Sequence, residues 1–219
     1  MSMTTLAPAQ SSTVEFFESV YAEAHGDAAR VRWADERSNP ALVNWLNAVA
    51  PSLVRCGARA CVVGCGLGDD AQELIKRGYD VTAFDCAPTA VDWARRRDPE
   101  NARNYVQADL FNMPAKWRHR FDLVVEIYTI QSLPPERHES AMKALAEILS
   151  PHGHMLLIAR AATDDGATMG DERPWPLTED ALRRLCNVAG LNIMGDVAIF
   201  EDDEDPPVVR MRAVLNKRA

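Results

Sequence analysis

Residues 62–70, VVGCGLGDD, place three glycines at alternate positions directly after a run of small apolar residues and end on two aspartates. A strand that runs into Gly64, Gly66 and Gly68 and then into a helix opening at Asp69 and Asp70 is the βα turn of a parallel sheet. Bare backbone and a helix N-terminus there face a ligand at the carboxyl edge of the strands. The aspartates suit the positive end of the helix dipole.

Working outward, short β-branched runs alternate with helical patterns from residue 59 onward, the mark of βαβ units. Strands are expected over 60–63, 80–85, 104–108, 121–127 and 154–160. Their near-continuous apolar character fits a sheet covered on both faces. Helical spacing appears over 69–78, 134–153 and 178–189, and two further helices, 13–25 and 40–50, belong to no βα repeat. Residues 191–200 and 207–218 read as two closing strands around the acidic EDDEDP, 201–206, expected to be a solvated hairpin. The fold class is therefore α/β: a Rossmann-like, doubly wound sheet of seven strands. It is mostly parallel with an antiparallel C-terminal strand, with helices on both faces and an N-terminal helical cap. Residues 1–12 are expected to be a disordered lead-in, 13–50 the cap and 59–219 the core of one domain.

Composition narrows the function classes. The chain has 219 residues, 24 Lys plus Arg and 32 Asp plus Glu, giving a formal net charge of −8. That balance opposes non-specific attraction to phosphate backbones, so no nucleic-acid partner is expected. No long uncharged apolar run suits a membrane span, and the N-terminus does not read as a secretory signal, so a cytoplasmic location is expected. The five cysteines form no CxxC pair and no Cys/His ligand spacing, so no metal site is expected.

The next strand ends on Asp85, about twenty residues after the first glycine, where a carboxylate can take both hydroxyls of a ribose. Asp109, after the third strand, is placed to accept from the exocyclic amine of an adenine, with Leu110 or Phe111 flanking the ring. Nicotinamide loops place their last glycine one residue later, where this chain has Asp69, and a pyrophosphate would be repelled by Asp69 and Asp70. The expected ligand carries adenine and ribose but little phosphate, which fits S-adenosylmethionine.

On these residues the chain resembles the class I S-adenosylmethionine-dependent methyltransferases. VVGCGLGDDA resembles their first motif, VTAFDCAPTAVDWA the second and VQADLFNMP the third, while FDLVVEIYTIQSLPPE and LSPHGHMLLIAR resemble the fourth and fifth. The GCGLGDD loop and SLPPE turn are most similar to the small-molecule branch that includes thiopurine and halide/thiol methyltransferases. One departure is Val62, where many members carry an acid two residues before the first glycine. The resemblance implies cofactor contacts from Gly64, Cys65, Gly66, Gly68, Asp69, Asp85, Cys86, Asp109, Leu110, Phe111 and Glu126. The methionine amino group would be met by backbone oxygens or by Asp69 or Asp70.

In-line displacement from a sulfonium leaves the protein chiefly to align and desolvate, so a general base is optional. Glu126 and Tyr128 at the end of the fourth strand and His25 between the first helix and RVRWADERSNP are the catalytic candidates. Phe17, Tyr21, Trp33, Tyr128, Gln131 and Trp175 are the acceptor-side candidates, the last from the long 162–180 connection. The expectation is transfer of a methyl group to a small aromatic, heterocyclic or thiol acceptor, with S-adenosylhomocysteine as product and a monomer or homodimer as the acting form. A non-catalytic S-adenosylmethionine-binding regulator and, less well supported, an NAD-dependent oxidoreductase are the competing readings.

Overall fold

The computed structural model describes residues 8–162 and 173–218, with side chains from residue 13 onward. Three helices come first: α1 (Pro8–Glu23), α2 (Pro40–Ala48) and the short α3 (Ala50–Leu53). The alternating core follows as β1 (Arg59–Val63), α4 (Asp69–Lys76), β2 (Asp80–Asp85), α5 (Pro88–Arg97), β3 (Tyr105–Gln107), β4 (Phe121–Ile127), α6 (Pro135–Ile148) and β5 (Leu149–Arg160). It closes with α7 (Glu179–Val188), β6 (Leu191–Ile193), β7 (Ala198–Glu201) and β8 (Val209–Lys217).

The strands lie in the order β3-β2-β1-β4-β5-β8-β6, with β7 also paired to β8. The first five are parallel, and β8 runs antiparallel to β5, β6 and β7. This is the expected Rossmann-like α/β fold with eight strands in place of seven. Residues 191–200 are not one strand: Gly195, at φ 69°, breaks the run, and its two halves occupy successive stretches of the same edge of β8. Helix α1 begins at Pro8, inside the stretch expected to be a lead-in.

Alternation along the strands feeds two apolar layers, since successive side chains point to opposite faces. Cys61, Val63 and Val124 pack with Met142, Leu145 and Leu182 of α6 and α7. Ala60, Val62, Leu123 and Val125 pack with Leu42, Trp45, Leu74 and Val91 of α2, α4 and α5. A third cluster, Tyr21, Val31, Leu67 and Trp93, fastens α1 across the glycine loop. Asn39 caps α2, its Oδ1 accepting from the backbone N–H of Ala41 and Leu42, with Pro40 at the first helical position.

Candidate active site

A cavity of about 760 Å³ opens at the carboxyl edge of β1, β2 and β4, within the size range of small-molecule sites. The glycine loop forms its floor, and all three glycines have left-handed backbones, with φ 58° at Gly64, 49° at Gly66 and 90° at Gly68. What excludes side chains there is first of all protein. A β-carbon on Gly64 would stand 2.5 Å from Thr129 Oγ1, one on Gly66 would stand 3.0 Å from the Tyr21 hydroxyl, and one on Gly68 would stand 2.8 Å from the Tyr105 ring. Gly64 and Gly66 line the cavity; Gly68 instead turns toward Tyr105 and starts α4.

Asp85 ends β2 and ties the loop to the turn before α5. Its Oδ2 accepts from the Gly66 N–H at 3.0 Å and its Oδ1 from the Ala87 N–H at 2.9 Å. Burial pushes this carboxyl above the usual range, and the two backbone donors pull it back. A carboxylate has about four lone-pair positions, so both oxygens can still accept from a ligand. Asp109 also lines the cavity: Oδ1 accepts from the Phe111 N–H at 2.9 Å, while Oδ2 is buried with no partner. Leu110, Phe111, Cys65 and Cys86 stand in the same wall. Burial pushes both thiols up, so they are neutral at physiological pH.

The two aspartates that open α4 divide their work. Asp69 lines the cavity but is held by Arg97 through two bonds of 2.9 and 2.8 Å, joining the end of α5 to the start of α4. Asp70 accepts from the Asn39 N–H at 2.8 Å, and burial, with the neighbouring Asp69, Asp35 and Glu73, pushes it up to about 6.

Elsewhere in the wall, Tyr128 holds a left-handed backbone at φ 64°. Its hydroxyl accepts from Asn39 Nδ2 at 3.1 Å, and the Arg210 guanidinium lies 4.4 Å from its ring centre. Burial pushes the phenol up, so it is protonated near neutrality. Tyr21, with Trp33 Nε1 donating to its hydroxyl at 2.7 Å, roofs the loop, and Phe17 and Trp33 continue that wall. Gln131 lines the cavity while its Oε1 accepts from the Arg160 N–H.

Three candidates lie elsewhere. His25 is exposed, at φ 51°, and does not reach the cavity wall, because the chain turns outward after α1. Glu126 is fully buried beneath the turn that follows β4, its Oε1 accepting from the Thr129 and Ile130 N–H groups at 2.8 Å each. Its Oε2 has no partner, and burial pushes the group up to about 7. It supports the turn that carries Thr129 and Gln131 and stands behind the cavity wall. Trp175 is also absent from the cavity wall, its backbone N–H donating to Gln131 O at 2.7 Å.

The acidic hairpin is solvent-exposed, as expected, and also reaches the cavity. Glu204 and Asp205 line the cavity, drawn in by Arg210, which binds Asp202 at 2.6 Å and also pairs with Glu204, and by the Arg37–Asp203 pair at 2.7 Å. Because β8 is antiparallel to β5, the hairpin before it arrives at the carboxyl edge of the parallel strands. Sequence reading also missed Asn39, Arg137, Arg160, Arg173 and Arg210. Asn39 carried a signal, an Asn-Pro helix start, whereas isolated arginines carry none. Among the described residues no group of three His, Cys, Asp or Glu is placed to hold a metal ion, and no helix is long and apolar enough to cross a membrane.

Residues 61–153 match the family described as a methyltransferase domain. A ubiquinone biosynthesis O-methyltransferase of Acinetobacter baumannii is 28% identical over 141 residues, 59% of this chain and 57% of the relative. A tRNA N(3)-cytidine methyltransferase of Danio rerio is 27% identical over 160 residues, 61% of this chain and 44% of that protein. The chain thus spans about half the length of the curated relatives it matches. Among solved structures, a Burkholderia thailandensis 1,6-didemethyltoxoflavin N1-methyltransferase with bound S-adenosylhomocysteine superposes with a TM-score of 0.73 at 18% identity, covering 100% of this chain and 94% of that one.

Proposed function

We propose that this chain is a class I S-adenosylmethionine-dependent methyltransferase that transfers a methyl group to a small-molecule acceptor, a reading supported by its fold and by the match of residues 61–153 to a methyltransferase domain. The observation that carries the proposal is Asp109 Oδ2, a buried acceptor atom without a donor in the wall of the cavity. An unpartnered buried oxygen costs free energy that a ligand N–H recovers, and an adenine exocyclic amine is such a donor.

The rest of the wall fits the same cofactor. Asp85 would hold the ribose hydroxyls, Leu110 and Phe111 the faces of the base, and Asp70 the methionine ammonium. When bound, the cofactor supplies a methyl group on a sulfonium, whose carbon–sulfur pair returns to sulfur as the acceptor lone pair takes the carbon. Tyr21 and Trp33 exclude water above the glycine loop, and Asp70 and Glu204 leave the cavity wall negative, which favours a cation there. No phenolate or thiolate is available at neutral pH, since burial pushes Tyr21, Tyr128, Cys65 and Cys86 up. This supports an acceptor that is already ionised or a soft nucleophile. The relatives methylate oxygen and nitrogen, so the acceptor atom is a matter for assay.

Thermal unfolding and calorimetric titration with S-adenosylmethionine, S-adenosylhomocysteine and NAD test the reading. The first two should stabilise the protein, with Asp109→Ala and Asp85→Ala each weakening them about tenfold or more. Stabilisation by NAD alone, or by neither adenosyl compound, would sink it. Transfer of labelled methyl to an acceptor separates an enzyme from a cofactor-binding regulator.

A further inference from the structure

Three arginines on one side of the cavity are placed against ordinary electrostatic preference. Arg137 lies in the first turn of α6, where the helix dipole disfavours a cation, and its buried Nε has no partner. Its guanidinium covers the Phe111 ring at 4.0 Å. Arg160 is the cross-strand partner of Arg210, a like-charge pairing; Arg210 is neutralised by Asp202 and Glu204, while Arg160 is not. Arg173 donates through Nε to Ser132 O at 2.8 Å and stacks on Phe16 at 4.3 Å, leaving its terminal nitrogens uncommitted among the described residues. Burial pulls Arg173 down.

All three line the cavity, and among the described residues none forms an ion pair, although the chain carries an excess of acid. Two acids of the same cavity, Asp70 and Glu204, stand on a separate network. Glu204 goes with Arg210, Arg210 with Tyr128, Tyr128 with Asn39, and Asn39 with Asp70. The acidic side matches a sulfonium and an ammonium; the basic side has no counterpart in that cofactor's adenosine. Guanidiniums stacked on aromatic rings, with free N–H pairs, match a planar oxyanion.

Resting on the methyltransferase reading, we infer that the acceptor is a flat aromatic acid whose carboxylate is held by Arg137, Arg160 and Arg173. The ring lies against Phe16, and the anion fixes which ring atom meets the methyl group. Specificity then comes chiefly from Arg137 and Arg173, because a neutral isostere leaves these two half-buried cations without a partner, with the exposed Arg160 adding charge at the rim.

Calorimetric titration tests this in two stages. S-adenosylhomocysteine is titrated first; no binding at this stage condemns the methyltransferase reading itself. The loaded protein is then titrated with 3,4-dihydroxybenzoate, indole-3-carboxylate and 1-naphthoate, each against its carboxamide. In at least one pair the carboxylate should bind about tenfold tighter or more, and Arg137→Gln or Arg173→Gln should bring the two within about threefold. Both variants should keep wild-type affinity for S-adenosylhomocysteine. No carboxylate preference in any pair of the wild-type protein overturns the inference without recourse to a variant. So does a preference that survives both substitutions, or a loss that falls on S-adenosylhomocysteine, which would assign the arginines to the cofactor's own carboxylate.

Discussion

The Tyr21 hydroxyl stands 3.0 Å from where Gly66 would carry a β-carbon, so helix α1 presses on the glycine loop at the point where the loop meets the cavity. Gly66→Ala would add left-handed strain of about 1–2 kcal/mol and push that hydroxyl away. The expected result is a lower Tm with at least about tenfold weaker S-adenosylhomocysteine binding. Gly66→Ala with Tyr21→Phe should recover part of the affinity, because the oxygen in conflict is gone. Calorimetry on the single and double variants reads this directly.

Gly68 makes the contrasting case. Its β-carbon would meet the Tyr105 ring at 2.8 Å, a fully buried aromatic that cannot swing aside. Gly68→Ala should cost stability on the order of 3 kcal/mol or more, from strain plus overpacking. Protein that remains folded at low temperature should bind cofactor with near-normal affinity. Denaturant melts paired with calorimetry separate the two effects; a pure affinity loss at full stability would refute the packing role.

Asp69 belongs to a clamp. With Arg97 half-buried and bonded to both its oxygens, Asp69→Asn should destabilise the protein by roughly 1–2 kcal/mol, since a guanidinium loses its charge partner. Affinity for S-adenosylhomocysteine should change less than about threefold. Arg97→Met should produce the same stability loss. A large affinity drop in Asp69→Asn at unchanged Tm would assign that carboxylate to the ligand instead.

Glu126 predicts the pH dependence of stability. Its carboxyl is raised to about 7 in the folded protein, above the value of about 4.5 expected when unfolded. A raised folded value means that the native state binds the proton more tightly. The contribution is therefore fully present below about 4.5 and is lost as pH rises through about 7. Between pH 5 and 8 the wild-type Tm should fall relative to that of Glu126→Gln, by an amount on the order of 5 °C. Gln keeps an oxygen for the Thr129 and Ile130 N–H groups. Parallel Tm curves for the two proteins would show that Glu126 does not titrate in this range.

Why some of this was readable in sequence and some was not follows from the range of the interactions. β1, β2 and β4 announce themselves because both of their faces are buried, and Asp85 and Asp109 because the one ends and the other closely follows a strand at the edge the glycine loop identifies. Those are local relationships. Arg137, Arg160 and Arg173 stand far apart in the chain and come to one cavity only through the tertiary fold. Similarly, Glu204 reaches the cavity because β8 runs against its neighbours, so a charge run that is solvated, as its sequence suggests, also lines the cavity. His25 misled for a different reason: it follows the first helix, where the sequence suggests a lid, and sits exposed in a left-handed turn away from the cavity wall.

β8 lies between β5 on one side and β6 and β7 on the other, although it follows all three in the chain. Until it inserts, β5 presents an open row of amide and carbonyl groups to solvent, next to an apolar run that includes Met155, Leu156, Leu157 and Ile158. Assembly of the sheet therefore waits on pairings between distant segments, which makes its completion slow relative to helix formation and leaves the intermediate prone to associate with its own kind through that edge. The strand that delivers the acidic hairpin to the cavity is thus also the seal that keeps the half-built protein from polymerising.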